Sequence, residues 1–204
     1  MSSLRSLFRA PRPRPAPFTC AEPVPATDAL LEMSAALLAG LEARNDEMDL
    51  AGHALRVAEL ADRLAAGQGV PDALRGVLRR AALLHEVGMI GIPHELLNRA
   101  EPLTAEERAR VHAHAAFGAA IARATCGELA ATIIRHQHDD EATLRRVLGE
   151  GTDAYRLTLL LRAADVADTI SRVQAGGAPG LRFVQPIADV PGLAEAAEAE
   201  ALAA

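Results

Sequence analysis

Residues 81–97 read AALLHEVGMIGIPHELL. An apolar run ends in a histidine and a carboxylate side by side, His85 and Glu86. Gly88 follows, then a second turn through Gly91, Ile92 and Pro93. A plain core helix has no use for a His–Glu pair after Ala-Ala-Leu-Leu, because a buried polar side chain needs a partner. The helix that leads into the pair opens at Pro71 and Asp72 and carries Leu74, Val77, Leu78, Ala81, Ala82 and Leu84. His85 continues the face of Leu78, Ala81 and Ala82, so it points inward, and Gly88 is expected to end the helix.

Upstream, Leu30, Leu31, Met33, Leu37, Leu38 and Leu41 recur mostly at spacings of three and four, which predicts a helix over 27–44. A second helix is predicted over 49–66, stopping at Gly67, with Leu50, Leu55, Val57, Ala58 and Leu64 apolar. Asp49 and His53 are four apart and share a face there; they can ligate one metal or hydrogen-bond to each other. Downstream, Thr104 with Glu107 is a capping box. The helix it starts is predicted to run to Arg123, with Val111, Ala115, Gly118, Ile121 and Ala122 as its buried stripe. His114 lies on that stripe. His112, about 200° around the helix, falls off it and reads as a surface residue. A helix over 127–138 brings His136 and His138, which diverge if it persists. The acids Asp139, Asp140 and Glu141 follow as a solvated helix end. A short helix and turn fill 142–152, and a strongly apolar helix covers 153–173, interrupted by Asp165 and Asp168.

The totals agree with a helical bundle. The chain has 204 residues, half of them apolar but only 2% aromatic, and alanine and leucine supply the bulk. This predicts an all-α fold of six to seven helices over 26–174, between a Pro/Arg-rich, disordered leader (1–25) and a loop and tail (175–204). A net charge of −6 argues against a nucleic-acid duplex as partner. Cys20 and Cys126 form no disulfide framework and have no metal-type spacing, which suits a reducing, cytoplasmic compartment. No apolar run is long enough for a membrane span.

The polar residues predicted to face inward are Asp49, His53, His85, Glu86, His114, His138 and Asp165, drawn from five helices. A carboxylate in an apolar helix is expensive unless paired or bound to a cation. Imidazole and carboxylate ligands suit Zn, Fe or Mn, and several carboxylates favour a two-metal site of the kind that activates water against a phosphate ester. Two readings are open at this point: a metal site, or a helical domain whose core histidines are satisfied by hydrogen bonds.

The segment LLHEVGMIGIPHELLNRAEPLTAEERARVHAHAAFGAAI, residues 83–121, resembles the HD-GYP branch of the HD metal-dependent phosphohydrolases. That branch reads LLHDIGKIGIP, then an L-T-x-x-E helix start, then H-x-x-x-G. The resemblance extends from Asp49 to Ile170. It implies a bacterial signalling hydrolase, a phosphodiesterase of cyclic di-GMP or a related cyclic dinucleotide or phosphoester, with one or two divalent ions (Fe, Mn or Zn). It implies Asp49, His53, His85, Glu86, His114, His138 and Asp165 as metal ligands, with Glu86 and Asp165 as the catalytic carboxylates.

The chain departs from the branch at four places. Glu86 stands where the family has Asp, and Met89 where it has a lysine facing substrate phosphate. Gln137 stands where it has a ligand histidine, with His136 a substitute if the register shifts by one. No Asp-Gly-x-Gly-Tyr-Pro loop lies between Asp139 and Tyr155. The implied readings are therefore a divergent phosphohydrolase with a weakened or mononuclear site, or a non-catalytic signalling module that keeps the fold and binds a protein partner or nucleotide.

Overall fold

The computed structural model describes residues 27–42, 49–98 and 102–174. Among them are nine α-helices and no strand: α1 (Thr27–Glu42), α2 (Leu50–Gly67), α3 (Asp72–Leu84), α4 (His94–Leu97), α5 (Ala105–His112), α6 (His114–Cys126), α7 (Glu128–Arg135), α8 (Glu141–Leu148) and α9 (Asp153–Gln174). A 3-10 turn (Val87–Gly91) lies between α3 and α4. The Pro/Arg-rich leader at 1–25 and the tail at 175–204 lie outside the described residues. None of the described helices is long and apolar enough to cross a membrane.

The all-α expectation holds, with more helices than the six to seven predicted. One addition is the single-turn α4. The other comes from a break: the helix expected from Thr104 to Arg123 stops at His112 and restarts at His114, with Ala113 shared between the two ends. The capping box stands as read: Thr104 Oγ1 accepts from the Glu107 amide at 3.2 Å, and Glu107 Oε2 accepts from the Thr104 amide at 3.0 Å. The acids after α7 are also put to use. Asp139 pairs with His136, Asp140 caps α8 by accepting from the Thr143 amide at 2.8 Å, and Glu141 accepts from the buried Tyr155 hydroxyl at 3.2 Å.

The core is built from small and branched side chains. Along α2, Val57, Ala58, Ala61, Leu64 and Ala65 are buried against Leu78, Ala81 and Ala82 of α3 and Leu157, Leu160, Leu161 and Ala164 of α9. Alanine on these faces lets helices approach closely, which explains how a core nearly without aromatics packs. His53 lies on the α2 stripe, four residues before Val57, so its burial follows from helix periodicity.

Helix α3 ends at Leu84, before Gly88, and the reason for Gly88 is contact rather than termination. A Cβ there would lie 1.9 Å from the His114 carbonyl oxygen and 2.5 Å from the Gly118 amide nitrogen. The 3-10 turn thus rests directly on the α6 backbone, and Gly118 faces it with its own amide. This contact sets the His85–Glu86 corner against the first turn of α6, where His114 begins.

Gly88→Ala is expected to destabilise the fold by about 3 kcal/mol, because two backbone groups must move. Gly76→Ala, in α3 with only the flexible end of Arg80 nearby at 3.5 Å, is expected to be neutral or to stabilise by up to about 1 kcal/mol. Urea unfolding of the two variants checks the contrast.

Candidate metal centre

Three histidines are fixed by the same device. His85 Nδ1–H donates to the Ala82 carbonyl at 2.7 Å, and His114 Nδ1–H donates to the Val111 carbonyl at 2.8 Å. His53 Nδ1–H donates to Asp168 Oδ2 at 2.8 Å. With Nδ1 committed, Nε2 of each ring points to the interior. This is how metal-ligating histidines are oriented: an acceptor on one nitrogen fixes the tautomer and aims the other. The two backbone acceptors lie three residues upstream in the chain, so His85 and His114 are oriented locally by the helix ends they occupy.

One ring nitrogen each of His53 and His85 and an oxygen of Glu86 all lie within 4.8 Å of one another. Asp165 Oδ1 is 3.2 Å from His53 Nε2, and Glu86 Oε1 is 3.3 Å from His85 Nε2. The other carboxylate oxygen, Oε2, is 3.7 Å from His114 Nε2. The His85 and Glu86 side chains are 0% and 3% exposed, whereas that of Asp165 keeps 29%. The pocket is therefore closed at its floor and open to water on the Asp165 side.

The charges are unbalanced in a way a cation would correct. Among the described residues, His85 Nε2 and Glu86 Oε2 are buried with no hydrogen-bond partner. Burial pushes the Glu86 carboxyl above the usual range and the His85 imidazole below it, so the floor is a carboxylate poorly served by the protein and a neutral ring with a free lone pair. At the open side, burial would lower His53, but the hydrogen bonds to Asp165 and Asp168 outweigh it and hold the imidazole at about 10. The His53 imidazolium thus lies between two carboxylates, of which Asp168 is also paired with Arg56. A divalent ion held by nitrogen and oxygen donors at ~2.0–2.2 Å fits the orphaned atoms and the donor chemistry, and would take the place of the His53 Nε2 proton.

The other sequence-predicted residues fall in several places. Asp49 precedes α2 and its carboxylate accepts from Arg56 at 3.1 Å and Arg172 at 2.8 Å, while both ring nitrogens of His53 go to Asp165 and Asp168. His136 turns away to Asp139, Nδ1 to Oδ2 at 2.6 Å. His138 turns in: α7 ends at Arg135, so 136–138 form a turn and the two histidines are not constrained by helical angles. His138 Nε2 is 3.1 Å from His114 Nε2, the rings edge to face. Gln137 is buried, and its amide nitrogen donates to the His85 carbonyl and to His114 Nε2, both at 3.0 Å. Met89 is buried with Ile92, Leu96 and Val111 in a small apolar cluster.

Three residues escaped the sequence reading. Asp168 orients His53, and Arg56 grips Asp168 with two bonds, at 2.6 and 3.1 Å. The signal was available, since Asp165 and Asp168 are three apart on one face of α9, and His53 and Arg56 three apart on α2. His112, expected on the surface, is half-buried and stacks on His138 with ring centroids 4.6 Å apart. The break at Ala113 removes the continuous-helix angle on which the surface assignment rested.

The bundle thus gathers two buried histidines, a buried glutamate and a partly exposed aspartate. The HD domain family model matches residues 50–173, more than half of the chain, and the chain belongs to the HD domain family. It is also similar to the 3'3'-cGAMP-specific phosphodiesterase 3 of Vibrio cholerae serotype O1, 43% identical over 67 residues. That alignment covers 33% of this chain and 15% of the Vibrio protein.

Because burial raises the folded-state pKa of Glu86, its charge opposes folding at every pH above its unfolded value, most strongly above the folded value. In chelator at neutral pH, Glu86→Gln is expected to be more stable than wild type by roughly 2 kcal/mol. With manganese or iron supplied, the order should reverse. Thermal unfolding of both proteins with and without metal checks both signs; equal stability in chelator would contradict the unpaired-carboxylate account.

Proposed function

We propose that the protein is a metal-dependent phosphohydrolase of the HD-GYP type that cleaves a phosphodiester in a cyclic dinucleotide or a related phosphoester. The observation that carries this reading is the buried trio of His53, His85 and Glu86, which can each bring one donor atom together, beside a partly exposed Asp165. The partial similarity to a cyclic-dinucleotide phosphodiesterase supports the substrate class. In this reading His53, His85, Glu86 and Asp165 hold the ion, with His114 and His138 beside them and Asp49 outside, between its two arginines.

A divalent ion in this position lowers the pKa of a bound water and stabilises charge on a phosphoryl oxygen. The chain's own residues supply the rest. Asp168 and Arg56 hold His53 in one orientation. Asp165, partly exposed and kept below the usual carboxylate range, where burial is outweighed by its hydrogen bond to His53, stays ionised as an oxygen donor for the ion. Glu86 and His85, buried from solvent, form the floor of the site. His138, held neutral mainly by burial, stands on the His114 side as a further nitrogen donor.

A second reading has its own support. Met89 is buried in apolar company, so no cation at that position can meet a substrate phosphate. A domain that binds a nucleotide without turning it over is the corresponding alternative.

Manganese- or iron-loaded protein is expected to hydrolyse 3'3'-cGAMP or cyclic di-GMP to linear products, resolved by chromatography. His85→Ala and Glu86→Gln should each lower the rate by at least ~100-fold. Retained binding with no turnover of either nucleotide would favour the second reading.

A further inference from the structure

We propose that Gln137 restricts this centre to a single ion by occupying the lone pair that a second ion would need. The inference rests on the metal-centre reading above and concerns only the His114 side of it.

The argument is one of donors and lone pairs. His114 Nδ1 carries its proton, because it donates to the Val111 carbonyl. Its Nε2 therefore has one lone pair and no proton. The Gln137 amide group has two N–H bonds. One goes to the His85 carbonyl at 3.0 Å and the other to His114 Nε2 at 3.0 Å. Both protons are used and the side chain is buried; His114 Nε2, with its single lone pair, has this amide at 3.0 Å and His138 Nε2 at 3.1 Å.

What remains on that side is a poor set. Glu86 Oε2 lies 3.7 Å from His114 Nε2, and His138 Nε2 lies 3.1 Å from it. An ion placed there would have to detach His114 from Gln137 and leave a buried amide proton without an acceptor. The amide itself offers only N–H toward this position. The first position is untouched by this, since His53, His85, Glu86 and Asp165 bind nothing of Gln137 but the His85 backbone carbonyl. That bond also ties the turn after α7 to the His85–Glu86 corner.

The test counts ions on the full chain. Protein equilibrated with excess manganese and dialysed is assayed by elemental analysis, with manganese electron paramagnetic resonance to detect coupled pairs. Wild type is expected to hold about one ion and show no coupling, and His114→Ala should also hold about one. Gln137→His and Gln137→Ala should each admit a second, the first tightly with a coupled-pair signal, the second weakly and visible only in a titration. Circular dichroism establishes that each variant is folded; should Gln137→His fail to fold, Gln137→Ala and His114→Ala decide. Two ions in wild type, loss of the ion in His114→Ala, one ion in dialysed, folded Gln137→His, or no second binding event on titration of Gln137→Ala would overturn the proposal. A wild-type protein that holds no ion would sink the metal reading itself, an outcome told apart by a count of zero.

Discussion

A carboxylate with almost no access to water, Glu86, is the constraint on which the rest of the structure turns. It is 2% exposed, and among the described residues one of its oxygens and a ring nitrogen of its neighbour His85 have no hydrogen-bond partner. Such a group is costly in a core, and a hydrophobic residue of similar volume would fold better. The surrounding architecture keeps it in place. Gly88 lets the following turn lie on the α6 backbone, the Ala82 and Val111 carbonyls fix two imidazoles around it, and the Gln137 amide ties the next turn to the His85 carbonyl.

The site has two sides of different character. On the His53 side, Arg56, Asp168 and Asp165 form a chain of charge that reaches water, and Asp49 with Arg172 extends it outward. On the His114 side the contacts are among neutral rings and an amide: His112 stacked on His138, His138 edge-on to His114, and Gln137 closing the gap. Burial keeps these imidazoles below their usual range, and the Glu86 carboxylate comes no nearer than 3.7 Å to His114 Nε2. The asymmetry separates a polar mouth from a packed flank.

Much of this was legible in the sequence where a helix face is determined locally. His53 on the α2 stripe, His85 after Ala81 and Ala82, and the Thr104–Glu107 box follow from spacing and from short-range hydrogen bonds. What was not legible depends on breaks and on partners far along the chain. The break at Ala113 brought His112 inward, and the end of α7 at Arg135 turned His138 in and His136 out. The early end of α3 made Gly88 a contact residue. Asp168 looked like a second interruption of an apolar helix; only the packing of α9 on α2 shows that it holds His53. Gln137 read as a lost ligand, whereas its amide makes two buried bonds that spacing alone does not reveal.

The central claim is that the orphaned atoms around Glu86 are the ligands of a cation. Anomalous diffraction at the manganese edge from crystals grown with that metal tests it most directly. The account predicts an anomalous peak ~2.0–2.3 Å from Nε2 of His53 and His85 and from an oxygen of Glu86. Contradiction would be a manganese-containing crystal with no peak there, and with Glu86 hydrogen-bonded to protein or water in its place.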